Sequence, residues 1–248
     1  MKRKLNLAQV QADDFLKAWV MLLKKVIENE NPLYFGDKVE KKALRGEVCS
    51  RVVLHKQAVE QVLNGAEVIG GSPLVPFGRA YVEEYKQEYS LDFIDAQRKL
   101  SEGHDQKFSY TYFERFWYYP VPSGTFNQVL VLRENLGEQI KNGVFSNRHQ
   151  MITWVPHIDA FSLSPPCLQR IWITAIDERS VEVHFSWRSR DLYGAWHVNL
   201  VALLNMVQEF IVAPNGCEIV KIVDCCDSLH IYNGDWEAAK KVVEDYTL

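Results

Sequence analysis

The sequence holds no stretch of roughly 18 apolar residues, so no membrane-spanning helix is expected. Its opening, "MKRKLNLAQVQADDFLKAW", is basic but lacks the uninterrupted apolar segment of a secretory signal. Neither sign of charge dominates. Lys and Arg number 28 against 32 Asp and Glu, and a net charge of -4 gives no electrostatic case for nucleic acid or an anionic membrane. A phosphorylated small molecule stays within reach, because a local cluster of arginines binds one even on an acidic protein. The five cysteines are odd in number and lack metal-ligand spacing, and vicinal Cys225 and Cys226 cannot chelate like a C-x-x-C pair. We therefore expect no metal, reduced thiols and a cytoplasmic location. No repeat, low-complexity stretch or Gly/Pro/Ser-rich linker divides the chain, so residues 1–248 are expected to form a single domain.

Apolar residues supply 47% of the chain, enough for a sizeable core. Phe15, Trp19, Leu22 and Val26 fall at helical spacing, which predicts one amphipathic helix over 8–29. "GEVCSRVVLH" (46–55) reads as a strand, and 77–89 and 126–145 as helices, the latter ending near Gly143. "HQMITWVP" (149–156) reads as a strand stopped by proline. "LQRIWITAI" and "VEVHFSW" form a hairpin across "DERS". A long apolar helix (197–212), a buried strand (216–226) and a short amphipathic helix complete a single α+β domain with a mixed sheet.

Three stretches carry candidate chemistry. In "LSPPCLQ", Pro165 and Pro166 fix the backbone before Cys167. The thiol is either packing behind a turn or a nucleophile whose direction matters, and nearby guanidinium groups would raise its thiolate fraction. In "WRSRDLYGAWHVN", Arg188 and Ser189 at a strand end offer a guanidinium fork and a hydroxyl suited to phosphate; a solvated charged turn is the alternative. Asn199, at the mouth of an apolar helix, has a carboxamide that matches an edge bearing both donor and acceptor, as uracil does. In "DSLHIYNGDW", His230 and Tyr232 share one face of a strand and suit a sugar hydroxyl, or else form a satisfied pair at a sheet edge.

The order "SPPC", "RSRD", Asn199, "HIY" resembles the thymidylate synthase family, which includes the pyrimidine hydroxymethylases, most clearly over 146–236. The resemblance implies a three-layer thymidylate synthase-like fold and an obligate homodimer. It implies C5 alkylation of a pyrimidine nucleoside monophosphate with 5,10-methylenetetrahydrofolate as co-substrate, most simply dUMP to dTMP. The alternatives are 5-hydroxymethylation of dUMP, dCMP or CMP, and a non-catalytic nucleotide-binding dimer. Cys167 would add to C6, Arg188 and Ser189 would bind phosphate, and Arg148 would reach the phosphate of the other subunit. Asn199 would read the uracil edge, His230 and Tyr232 the sugar 3′-hydroxyl, and Asp191 the pterin. Tyr112 would assist proton removal from C5, and Glu84, with Glu83 and Glu88 as rivals, would be the catalytic glutamate. Leu168, Trp187 and Asn147 replace the family's usual histidine, glutamine and first arginine, and "PPCL" resembles the shorter archaeal-type branch.

Overall fold

A computed structural model describes residues 5–35, 43–100 and 110–246. Its strands are β1 (Asn6–Ala12), β2 (Glu30–Phe35), β3 (Leu44–His55), β4 (Tyr119–Val121), β5 (Gly124–Phe126), β6 (Gln150–Ile152), β7 (Leu168–Ala175), β8 (Ser180–Trp187), β9 (Arg190–Asp191) and β10 (Glu218–Tyr232). Strands β4 and β5 form a small hairpin. The other strands build one open sheet in the order β1-β3-β10-β8-β7-β6, with β2 pairing β3 and β9 pairing β10. Its pairings are mixed: β1–β3, β8–β10 and β9–β10 are parallel, whereas β3–β10 and β7–β8 are antiparallel. The architecture is α+β.

The helices are α1 (Phe15–Glu28), α2 (Lys56–Leu63), α3 (Gly65–Val68), α4 (Arg79–Gln87), α5 (Leu91–Leu100), α6 (Tyr112–Trp117), α7 (Gln128–Asn142), α8 (Pro156–Asp159), α9 (Trp196–Val207) and α10 (Trp236–Asp245). The single helix expected over 8–29 is instead a strand followed by a helix. Ala8, Val10 and Ala12 alternate with exposed Leu7, Gln9 and Gln11, a period of two that suits parallel pairing with β3. Asp14 then caps α1, its carboxylate accepting from the Lys17 N–H at 2.7 Å. The long apolar helix expected over 197–212 also divides, into α9 and a π-turn over Gln208–Val212. Together Trp196–Asn215 are long and apolar enough to cross a membrane, but 72% of that window is buried inside the fold, as befits a core helix.

Buried positions alternate along β8 and along β7 from Ile171 onwards: Ile171, Ile173, Val181, Val183 and Phe185 have no exposed surface. They join α9 and α1 in one core. There Phe15 stacks on Trp196 at 4.8 Å between centroids, an aromatic pair contributing about 0.5–1.5 kcal/mol beyond area burial. The intervening positions form a half-buried polar cluster, with Trp172 edge-on to His184 and Glu182 bridging His184 at 2.7 Å and Lys221 at 2.6 Å. Strand β10 runs longer than its apolar stretch suggests and contains a bulge. Cys226 lies opposite Ser50 and Leu229 opposite Val48, so three steps on β10 match two on β3.

Candidate functional site

The antiparallel β7–β8 pairing sets Leu168 opposite Trp187, which brings Cys167 and Arg188 together at the open end of the hairpin. The Arg188 backbone N–H donates to the Cys167 carbonyl at 3.0 Å. The Arg188 side chain then clasps the turn, Nε donating to the Pro166 carbonyl at 2.9 Å and Nη2 to the Pro165 carbonyl at 2.6 Å. Nη2 also lies 3.7 Å from Cys167 Sγ. Prolines alone do not hold the thiol; the guanidinium closes the turn across the hairpin. Burial raises the Cys167 thiol pKa, while Arg188, the Tyr112 hydroxyl and Arg190 oppose that rise. The guanidinium groups therefore offset the burial without overcoming it, contrary to the expected gain in thiolate.

Thr111 caps α6 and thereby fixes Tyr112 at the first turn, beside the thiol. Burial of its hydroxyl pushes the pKa up and keeps the phenol neutral, the Leu168 backbone opposing that rise. The ring meets Trp187 edge-on at 5.8 Å. Asp191 follows on β9, paired in register with His230 on β10. Its Oδ1 accepts the N–H groups of Tyr193 and Gly194 at 3.0 and 2.9 Å. A Cβ at Gly194 would come within 2.4 Å of Asp191 Oδ2, so a side chain there would displace the carboxylate. Burial pushes the Asp191 carboxyl up to about 6.

His230 and Tyr232 do share a face, their rings 4.8 Å apart and edge-on. Burial holds the His230 imidazole neutral, its pKa lowered to about 4. Nδ1 faces the Ser228 carbonyl at 3.1 Å, and Nε2 is buried without a partner among the described residues. Burial raises the half-buried Tyr232 phenol, with Asp191 and Cys167 near enough to add to that rise. Asn199 is 7% exposed, and its Nδ2 donates to the Tyr85 hydroxyl at 2.7 Å.

Ser189 is half-buried in the turn between β8 and β9. The three glutamates differ in placement. Glu83 is exposed and pairs with Lys86 at 3.4 Å; Glu84 is exposed, with its charge felt at Tyr81. Glu88 is half-buried, and its charge acts on Tyr81, Tyr85 and Tyr89. Arg148 stands apart from the Cys167 group: it is exposed, its Nε donates to Ser146 Oγ at 3.1 Å, and it lines a separate cavity of about 560 Å³ with Gln139 and His149. Among the described residues no cluster of three or more His, Cys, Asp and Glu side chains is disposed to hold a metal ion.

Two features escaped sequence reasoning. Tyr85 was signalled by aromatic residues every four positions, Phe77, Tyr81, Tyr85 and Tyr89. The other is a buried hub beneath the site. Asp224 has no exposed surface and accepts from Arg190 Nη1 at 2.9 Å on both oxygens, from Trp187 Nε1 at 2.8 Å and from Trp196 Nε1 at 2.9 Å. Arg190 also donates to the Trp196 carbonyl and stacks 3.9 Å from the Trp187 centroid. Asp224 thus ties β8, β9 and the start of α9 to β10. Its signal was a lone acid in the apolar run "IVKIVDCC".

Comparison with known proteins covers most of this arrangement. The family model described as "Thymidylate synthase" matches residues 92–247, which include Tyr112, Arg148, Cys167, Arg188, Asp191, Asn199, His230 and Tyr232 but not the three glutamates. A protein from Methanothermobacter marburgensis named "Putative thymidylate synthase" is 26% identical over 248 residues, spanning 96% of this chain and 98% of its own length. Similarly named proteins from Methanosarcina mazei and Methanocaldococcus jannaschii are 28% and 30% identical over 172 residues each, about two thirds of this chain. The family-model match spans well over half of the chain, and the chain therefore belongs to the thymidylate synthase family of one-carbon transferases.

Proposed function

We propose that this protein is a thymidylate synthase, converting dUMP to dTMP with 5,10-methylenetetrahydrofolate. The observation that carries this reading is the clasp on Cys167. A thiol restrained by Arg188 with Tyr112 alongside is set for addition to one ring carbon, C6 of the pyrimidine. Arg188 would reach the phosphate through Nη1, since Nε and Nη2 hold the turn. Ser189 would add a hydroxyl to the phosphate. His230 Nε2, buried and unpartnered, suits the sugar 3′-hydroxyl, with Tyr232 beside it.

The Asn199 carboxamide would donate to O4 and accept from N3–H, stabilising the negative charge that develops towards O4 as sulfur adds to C6. Tyr112, neutral and next to the thiol, would assist by hydrogen-bonding the water that takes the C5 proton, and elimination from C6 would free the Cys167 sulfur once the methyl group is complete. The folate supplies the one-carbon unit and the reducing equivalents. Asp191 fits its pterin, whose N–H groups need a half-buried acceptor at the mouth of the site. The catalytic glutamate would come from α4 or its end: Glu84 is the expected residue, and Glu88 is the one whose charge reaches the Asn199 partner. We further propose a homodimer through the polar face around Trp172 and His184, with Arg148 serving the other subunit.

The test is trapping. Incubation with 5-fluoro-dUMP and methylenetetrahydrofolate is expected to leave a covalent adduct that maps to Cys167, because fluorine does not leave as a proton does. An adduct on another cysteine, or undiminished turnover in Cys167→Ser, would refute the reading. Release of tritium from 5-tritiated dUMP, with identification of the product, separates dTMP from a 5-hydroxymethyl nucleotide.

A further inference from the structure

A carboxamide offers a donor at one end and an acceptor at the other, so its two flips read opposite edges. Something must choose the flip of Asn199. Its Nδ2 donates at 2.7 Å to the hydroxyl of Tyr85, a residue 114 positions away on α4. Tyr85 is itself held. Rings of Phe77, Tyr81, Tyr85 and Tyr89 stand in a ladder with centroid spacings of 4.4, 6.4 and 6.0 Å, and Tyr89 packs on Phe113 at 6.5 Å. Tyr89, 5% exposed, has its hydroxyl within hydrogen-bond reach of the Tyr85 oxygen. The Glu88 carboxylate, an acceptor only, lies near enough to act on Tyr81, Tyr85 and Tyr89. The Tyr85 oxygen is the acceptor in its contact with Asn199, and the Tyr89 hydroxyl is the partner beside it that is open to the Tyr85 proton. With the Tyr85 proton turned to Tyr89, its oxygen satisfies an Asn199 N–H and would meet a flipped Asn199 oxygen to oxygen.

We infer that Tyr85 is a positioning residue that fixes the direction of the Asn199 carboxamide and so makes the site choose a uracil edge over a cytosine edge. This rests on the reading of Asn199 given under Proposed function. One Nδ2 proton lies on Tyr85, so the second is left for O4 and Oδ1 for N3–H. Cytosine, with an amino group at C4 and an acceptor at N3, mismatches both.

The experiment is calorimetric binding of dUMP and of dCMP to the wild type and to Tyr85→Phe, which keeps the ring and removes the hydroxyl. The wild type should prefer dUMP, and in Tyr85→Phe the dUMP-to-dCMP affinity ratio should fall about tenfold. The Asn199 side-chain amide proton facing Tyr85 should move upfield in the NMR spectrum of the nitrogen-15-labelled protein, a change that packing alone does not produce. An unchanged ratio and resonance in Tyr85→Phe overturn the inference while the base reading stands. A wild type that prefers dCMP, or binds neither, overturns the base reading itself and the inference with it. Where Tyr85→Phe does not fold, Tyr89→Phe, which removes the hydroxyl beside the Tyr85 oxygen, must lower the ratio in the same sense; an unchanged ratio there is equally fatal.

Discussion

Replacing Asp224 by Asn is expected to destabilise the protein severely, although the two side chains are nearly the same size. Asp224 carries the charge opposite Arg190, and each partner is about 1% exposed at the side chain. The carboxylate accepts four hydrogen bonds from three residues. The amide retains one oxygen, places an NH2 against either a tryptophan N–H or the guanidinium, and leaves the charge of Arg190 uncompensated. Breaking a buried ion pair from one side costs about 3–5 kcal/mol, a large share of the roughly 5–15 kcal/mol that holds a domain folded. For a chain of this size that corresponds to a fall in melting temperature of about 6–20 °C. Thermal unfolding followed by circular dichroism measures it. The reasoning also requires that Asp224→Asn combined with Arg190→Met recover most of the loss, since removing both charges leaves neither stranded. A single variant melting within about 2 °C of the wild type, or a double variant worse than the single, would refute it.

Asn199→Asp should move nucleotide preference from dUMP towards dCMP by roughly 1–3 kcal/mol, read as the ratio of the two affinities; a wild type already favouring dCMP contradicts the substrate assignment. Under the proposed pterin contact, Asp191, its carboxyl at about 6, is the stronger acceptor when ionised, so folate affinity should rise as pH climbs through about 6 and stay level in Asp191→Asn. His230, neutral above about 4, contributes nothing to that profile. Mixing inactive Cys167→Ala with inactive Arg148→Ala subunits should restore activity through hybrid dimers with one intact site; no recovery argues against the shared site.

The Cys167 turn was legible because its restraint begins locally, with two prolines before the thiol, and the β7–β8 hairpin because its alternation and turn residues lie side by side. His230 and Tyr232 were legible for the same reason. What sequence could not reveal joins distant positions. Asp224 meets Trp196, Arg190 and Trp187 across separations of 28, 34 and 37 residues, and nothing in a lone acid says which strand ends it gathers. The Tyr85–Asn199 contact is longer still. The first strand was misread because Ala8 and Ala12 fall in phase with Phe15 and Trp19 of the helix behind them, so one period masked another across the Asp13-Asp14 pair.

The bulge in β10 makes chain length, more than side-chain identity, the sensitive variable around His230 and Tyr232. Cys226 and Leu229 face the same way across it, so Asp224 and Cys226 belong to one side of the sheet while His230 and Tyr232 belong to the other. Losing one residue at Asp227 or Ser228 would carry both ring-bearing side chains through the sheet and bring Leu229 and Ile231 out in their place. Substitutions at those two positions leave the parity untouched. Related chains that keep this chemistry should therefore vary freely in letter here and hardly at all in count, and a library that scrambles residues 227–228 should yield many more active proteins than one that deletes either.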